Sequence, residues 1–317
     1  MATHNLKRHW LLSSRLFCWF FFVVVLHGGL VQGQETTEKP GTSLKDVSYG
    51  EHPRQALDVW FPDEKGEKDE QGDRPVLLYF HGGGFVAGDK SSVNPAPYLR
   101  AGFVVVSANY RLVDGEEVKV QQSIEDAVRA VQFLKSKSGD WRFDSAKVVL
   151  SGGSAGAVLA MWVGYHDDLA KPDSADPIAR QSTRVAAVVP LNGPTRLDPP
   201  WIRKHLGGPH DIFPTLPAMY GENWDSPEGY RVVRQSSPWE LVDASDPPTF
   251  LAYTTRMTAL PLPKSAAHGD LVHHPYFGKV LQERLEELDV PCQWLHGVGV
   301  EAYPKILEFL AQQGIEP

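Results

Sequence analysis

The chain is 317 residues long, 42% hydrophobic and 22% charged, a composition that fits one sizeable globular alpha/beta domain and calls for no second. A formal net charge of -8, with no basic cluster beyond the first 33 residues, argues against nucleic-acid binding and against adhesion to anionic lipid.

At the N-terminus, Lys7, Arg8 and Arg15 precede an apolar run of eleven residues at 16–26, and Gly28, Gly29 and Gly33 follow. This is the pattern of a secretory signal peptide over 1–33 with cleavage near Gly33, because the run falls short of the roughly 20 apolar residues that a spanning helix needs. The expected location is therefore secreted, periplasmic or otherwise extracytoplasmic, with no stable membrane association after cleavage. Cys18 lies in that segment, so Cys292 would remain alone and form no internal disulfide. A polar tether over 34–44 leads into the folded domain, 45–317.

Segments 46–50 and 56–62 read as a hairpin of strands, followed by an exposed charged loop over 63–74. Beyond it, continuous apolar runs alternate with helical patterns: strands over 75–80, 103–107, 147–150 and 185–191, with helices over 120–135 and 156–164. Such runs predict an α/β fold with a mostly parallel sheet covered by helices on both faces. The periodicity breaks between 194 and 238, where Pro194, Pro199, Pro200, Pro209, Pro214, Pro217 and Pro227 interleave with Trp201, Tyr220 and Trp224. This reads as an irregular insertion whose aromatic residues either line a pocket or pack on one another. Regularity resumes with a strand over 248–254, a helix over 276–288, a strand over 292–296 and a helix over 303–312.

Two glycine motifs carry chemistry. Gly152-Gly153-Ser154-Ala155-Gly156 stands between a strand and a helix, the context in which glycines let the chain pinch and present a serine hydroxyl at the top of a sheet. His81-Gly82-Gly83-Gly84-Phe85 follows the strand 75–80, and three consecutive glycines imply that main-chain amides approach something closely.

With Ser107-Ala108-Asn109-Tyr110-Arg111-Leu112 and Ser123-Ile124-Glu125-Asp126-Ala127-Val128, these motifs resemble the alpha/beta-hydrolase superfamily. The resemblance is to its HGGG-type esterases and lipases, the branch related to hormone-sensitive lipase and to feruloyl-esterase-like carbohydrate esterases. It covers roughly 45–315 and implies an alpha/beta-hydrolase fold with the proline-rich insertion as a lid. It also implies Ser154 as nucleophile and an oxyanion hole built from the amides of Gly83, Gly84 and Ala155.

The family pattern also requires an acid after the seventh strand and a histidine after the eighth. Here those places hold Met257 and Val300, neither of which can serve. An insertion at 262–277 contains His268-Gly269-Asp270-Leu271-Val272-His273-His274-Pro275, which offers Asp270 as acid and His273 or His274 as base; His296 is a further alternative base. Two functions stay open: a secreted carboxylic-ester hydrolase acting on a small-molecule or carbohydrate acyl ester, and a non-catalytic hydrolase-fold protein that binds such a ligand. Neither calls for a cofactor, and adjacent His273 and His274, pointing apart, do not suit a metal site.

Overall fold

Valine- and leucine-rich runs buried on both faces become the parallel part of one eight-stranded sheet. The computed structural model describes residues 43–63, 74–209, 215–221 and 223–317, which belong to the unit Pro40–Pro317. The expected signal segment, the tether up to residue 42 and most of the charged loop lie outside the described residues.

Strand β1 (Ser43–Ser48) pairs antiparallel with β2 (Ala56–Trp60), so Ser43 and Leu44 of the expected tether already belong to the sheet. Then come β3 (Arg74–Phe80), α1 (Ala96–Arg100), β4 (Val104–Ala108), α2 (Val120–Ser136), β5 (Phe143–Gly153), α3 (Ala155–Tyr165) and β6 (Ala187–Leu191). The C-terminal part holds α4 (Pro199–His205), α5 (Leu216–Tyr220), α6 (Pro227–Gln235), β7 (Thr249–Tyr253), α7 (His268–Val272), α8 (Tyr276–Glu287), β8 (Cys292–His296) and α9 (Ala302–Gln312). Strand order is β1-β2-β4-β3-β5-β6-β7-β8, and every pairing from β4 to β8 is parallel.

Successive strand side chains face opposite sides. Val76, Leu78, Phe80, Val104, Val106, Val148 and Leu150 enter one core with α2, α3 and α8, while Leu77, Val105, Val149, Val189 and Phe250 enter the other with α9. Each such fully buried side chain contributes about 1.5–3 kcal/mol. Helix α2 shows how the covering layer forms: Val120, Ile124, Ala127, Val131 and Leu134 recur at helical spacing and are all buried.

The 194–238 segment differs from the irregular loop expected of it. Three of its prolines open helices rather than break them: Pro199 and Pro227 stand in first turns capped by the side chains of Asp198 and Ser226, and Pro217 stands in the first turn of α5. Proline lacks the amide that a helix start leaves unbonded, so the same residue that destroys periodicity in the sequence suits this position.

The topology fixes where a site can form. From β3 the chain goes outward to β4, then crosses back to β5 on the other side of β3, so the loops leaving β3 and β5 part from each other at the carboxyl edge of the sheet. A crevice at such a reversal is the usual ligand position in open α/β sheets. The register pairs Phe80 with Gly152, which brings the His81 loop beside Ser154.

Candidate active site

The turn after β5 is strained at one residue. Ser154 has φ 50° and ψ -114°, a left-handed conformation that a serine rarely adopts, and it is held there by its amide donating to the Leu191 carbonyl at 2.9 Å. Helix α3 starts at once with Ala155, whose amide, as the first of the helix, has no intrahelical partner. Close packing demands the last glycine of the motif: a Cβ on Gly156 would collide with the Phe80 carbonyl at the end of β3.

The glycine loop, 81–88, is braced from behind. His81 is buried and stacks on Tyr110 with ring centroids 4.3 Å apart. Its Nδ1 lies 2.8 Å from the Gly82 carbonyl and must carry the proton; Nε2 then accepts from Arg54, 3.1 Å away. Burial first, together with the Arg54 charge, lowers the His81 pKa to about 4, so the ring is neutral at pH 7. Arg54 also donates to the carbonyls of Tyr110 and Gly88, at 2.8 and 3.0 Å. Tyr110 returns a hydroxyl bond to the His81 carbonyl at 2.8 Å, and the neighbouring Arg111 is gripped by buried Asp126 of α2. The stretches 107–112 and 123–128 thus form the scaffold on which the glycine loop rests. Gly83 has φ 113°, and a Cβ there would meet the Ala87 carbonyl. Among the described residues nothing accepts from the amides of Gly83 and Gly84.

The three histidines expected as alternatives have different surroundings. His273 Nε2 lies 3.0 Å from Ser154 Oγ. His274 is buried, accepts from the Tyr276 amide at Nδ1 and faces the Thr258 hydroxyl with Nε2 at 3.0 Å. His296 is exposed, accepts from the Met257 amide at 3.3 Å and lies against Trp294. The two adjacent histidines part because α7 ends between them and the next turn: His273 is its C-cap, and Pro275 opens α8.

Asp270 is exposed and makes no hydrogen bond to His273 among the described residues; its charge acts on His274. Burial, and then the charge of His268, hold the His273 pKa below the ordinary histidine value. Val300 is 78% exposed, so the loop after β8 turns the residue at the family's histidine position out to solvent. Among the described residues no three His, Cys, Asp or Glu side chains converge as a metal site would require. Sequence reasoning missed Arg54: its side-chain partners lie far along the chain, in the 81–88 loop and at Asn109 and Tyr110, and no local pattern marks it.

The sheet order and the serine turn at the end of its fifth strand give the molecule the alpha/beta-hydrolase fold. A carbohydrate esterase from gut microbiota, in truncated form, superposes with a TM-score of 0.67 at 18% identity over 87% of this chain and 98% of that one. Esterase 2 of Thermogutta terrifontis with propionate bound gives 0.63 at 19% identity over 88% and 96%. The chain belongs to the BD-FAE family, whose pattern matches residues 57–269. Among curated relatives, a kynurenine formamidase of Danio rerio is 33% identical over 138 residues, 42% of this chain and 43% of that protein. A probable carboxylesterase 3 of Arabidopsis thaliana is 31% identical over 129 residues, 38% and 40%. The chain thus spans less than half the length of these relatives.

Proposed function

We propose that the protein is a carboxylic-ester hydrolase in which Ser154 is the nucleophile and His273 its base. The observation that carries this reading is the 3.0 Å contact between His273 Nε2 and Ser154 Oγ. The imidazole takes the hydroxyl proton as Oγ bonds to the acyl carbon, and the carbonyl π electrons move onto its oxygen. The amides of Gly83, Gly84 and Ala155 hold that oxyanion, and pre-aimed donors of this kind are worth about 10²–10³ in kcat each. The intermediate collapses with expulsion of the alcohol, which takes the proton back from His273; water, activated by the same base, then releases the acid and frees Ser154. Esters of small molecules or carbohydrates are the proposed substrates, supported by the carbohydrate esterase among the structural neighbours. Secretion is proposed from the residues alone, Lys7, Arg8 and Arg15 ahead of the apolar run.

The non-catalytic reading keeps one observation in its favour: among the described residues no carboxylate bonds to His273. Hydrolysis of p-nitrophenyl acetate separates the two. Wild type is expected to turn over with Ser154→Ala and His273→Ala each reducing kcat at least a thousandfold. Equal, background-level rates in all three would leave a binding protein.

A further inference from the structure

A carboxylate in a serine hydrolase does two things: it orients the imidazole and it stabilises the imidazolium. His273 has no such partner among the described residues, yet its ring faces Ser154 at hydrogen-bond distance. The backbone around it explains how. The Thr255 hydroxyl donates to the His273 carbonyl at 2.7 Å. The preceding residue, Thr254, donates from both its amide and its hydroxyl to Asn192 Oδ1, at 2.8 and 3.0 Å. Since a backbone amide can only donate, the side-chain oxygen of Asn192 must be the atom that faces it. Asn192 has φ 53°, and its amide donates to the Ala252 carbonyl at 2.8 Å. The residue before it, Leu191, accepts from the Ser154 amide. The hydrogen bonds therefore close a circuit: Ser154 to Leu191, Asn192 to Thr254, Thr255 to His273, and His273 back to Ser154. The Gly297 amide, donating to the Thr255 carbonyl at 2.7 Å, fixes the circuit to the end of β8.

We infer that Asn192 and Thr255 are positioning residues that set the backbone of His273, and so supply through the main chain the orientation that a triad carboxylate would supply through Nδ1. The inference rests on the Ser154 and His273 reading above. It takes two residues at strand ends that touch neither reacting atom and gives them an effect on turnover, because a misplacement of about 1 Å at a reacting group costs on the order of a hundredfold. The plainer role for Thr255 is to cap the last carbonyls of α7, which would affect stability alone.

The test uses the full chain and p-nitrophenyl acetate. Thr255→Val keeps shape and removes the donor, and Asn192→Gly keeps a residue at ease with positive φ while removing the acceptor. Each is expected to lower kcat about ten- to a hundredfold with KM changed less than about twofold. Thr255→Ser and Asn192→Asp, which restore donor and acceptor, should return kcat to within about threefold of wild type. In a His273→Ala background Thr255→Val should change the residual rate by less than twofold, since it acts through the absent imidazole. Loss of activity in His273→Ala with full kcat in Thr255→Val and Asn192→Gly would overturn the inference while sparing the reading beneath it. An equal further loss on adding Thr255→Val to His273→Ala would overturn it as well, by showing an effect on the fold. If Ser154→Ala and His273→Ala are as active as wild type, the underlying reading falls and the inference with it.

Discussion

His273 and His274 are neighbours in sequence with the same side chain, yet only one faces Ser154, and the difference lies in a C-cap. The last turn of α7 leaves His273 directed at the serine, while His274 is absorbed by Thr258 and the start of α8. This division could not be read from residue types. Ser154 and Gly83 could, because the backbone conformations they adopt are ones that few sequences allow. A pH profile follows from the burial of His273. With its pKa below the ordinary value of about 6.5, the imidazole stays unprotonated, and competent as a base, to lower pH than a solvated histidine. The acid limb of kcat/KM, which reports the free enzyme, is therefore expected to have its midpoint below about 6.5. A midpoint above that value would contradict the assignment of the base.

At the scale of elements, the alternation of apolar runs and helical stretches was enough to anticipate most strands, since a sheet buried on both faces needs continuous hydrophobic segments. It failed at 194–238, where helix-opening prolines disguise α4, α5 and α6, and at β5, which starts at Phe143 rather than 147 because buried Phe143 is cut off from the apolar run by Asp144, Ser145, Ala146 and Lys147, none of them buried. The glycine loop was legible as a motif, but its brace was not. Arg54 acts on it from the β1–β2 turn, a contact that only the folded chain creates. Replacing Arg54 by methionine removes the donor to His81 Nε2 and to the Gly88 and Tyr110 carbonyls together. The expected result is a fall in kcat of at least about tenfold as the amides of Gly83 and Gly84 lose their aim. NMR titration of His81 should show its pKa rising above about 4, because the opposing cation is gone. An unchanged kcat would mean that the loop holds its shape unaided.

For the molecule as a whole, stability carries a second titration, away from the site. Asp246 precedes β7, is 7% exposed, and has one carboxylate oxygen, Oδ1, without a partner. Burial, opposed by its bond from the Asp243 amide and helped by the Asp243 charge, raises its pKa to about 7. Unfolded, the group titrates near 3.9, so between about pH 4 and 7 the folded state holds a proton that the unfolded state has lost, and stability falls as pH rises through that window. Asp246→Asn should flatten the slope and gain about 1–2 kcal/mol at pH 8 relative to wild type, read by urea denaturation at pH 5 and pH 8. Parallel behaviour of the two proteins would show that Asp246 is ionised in the folded state. The central claim, that Ser154 and His273 form a reacting pair, is tested most directly by the rate of covalent labelling with a serine-directed fluorophosphonate. Wild type, His274→Ala and His296→Ala should label at similar rates, His273→Ala should label slower by orders of magnitude, and Ser154→Ala should not label. Labelling of His273→Ala at the wild-type rate, or of wild type no faster than Ser154→Ala, would contradict the account.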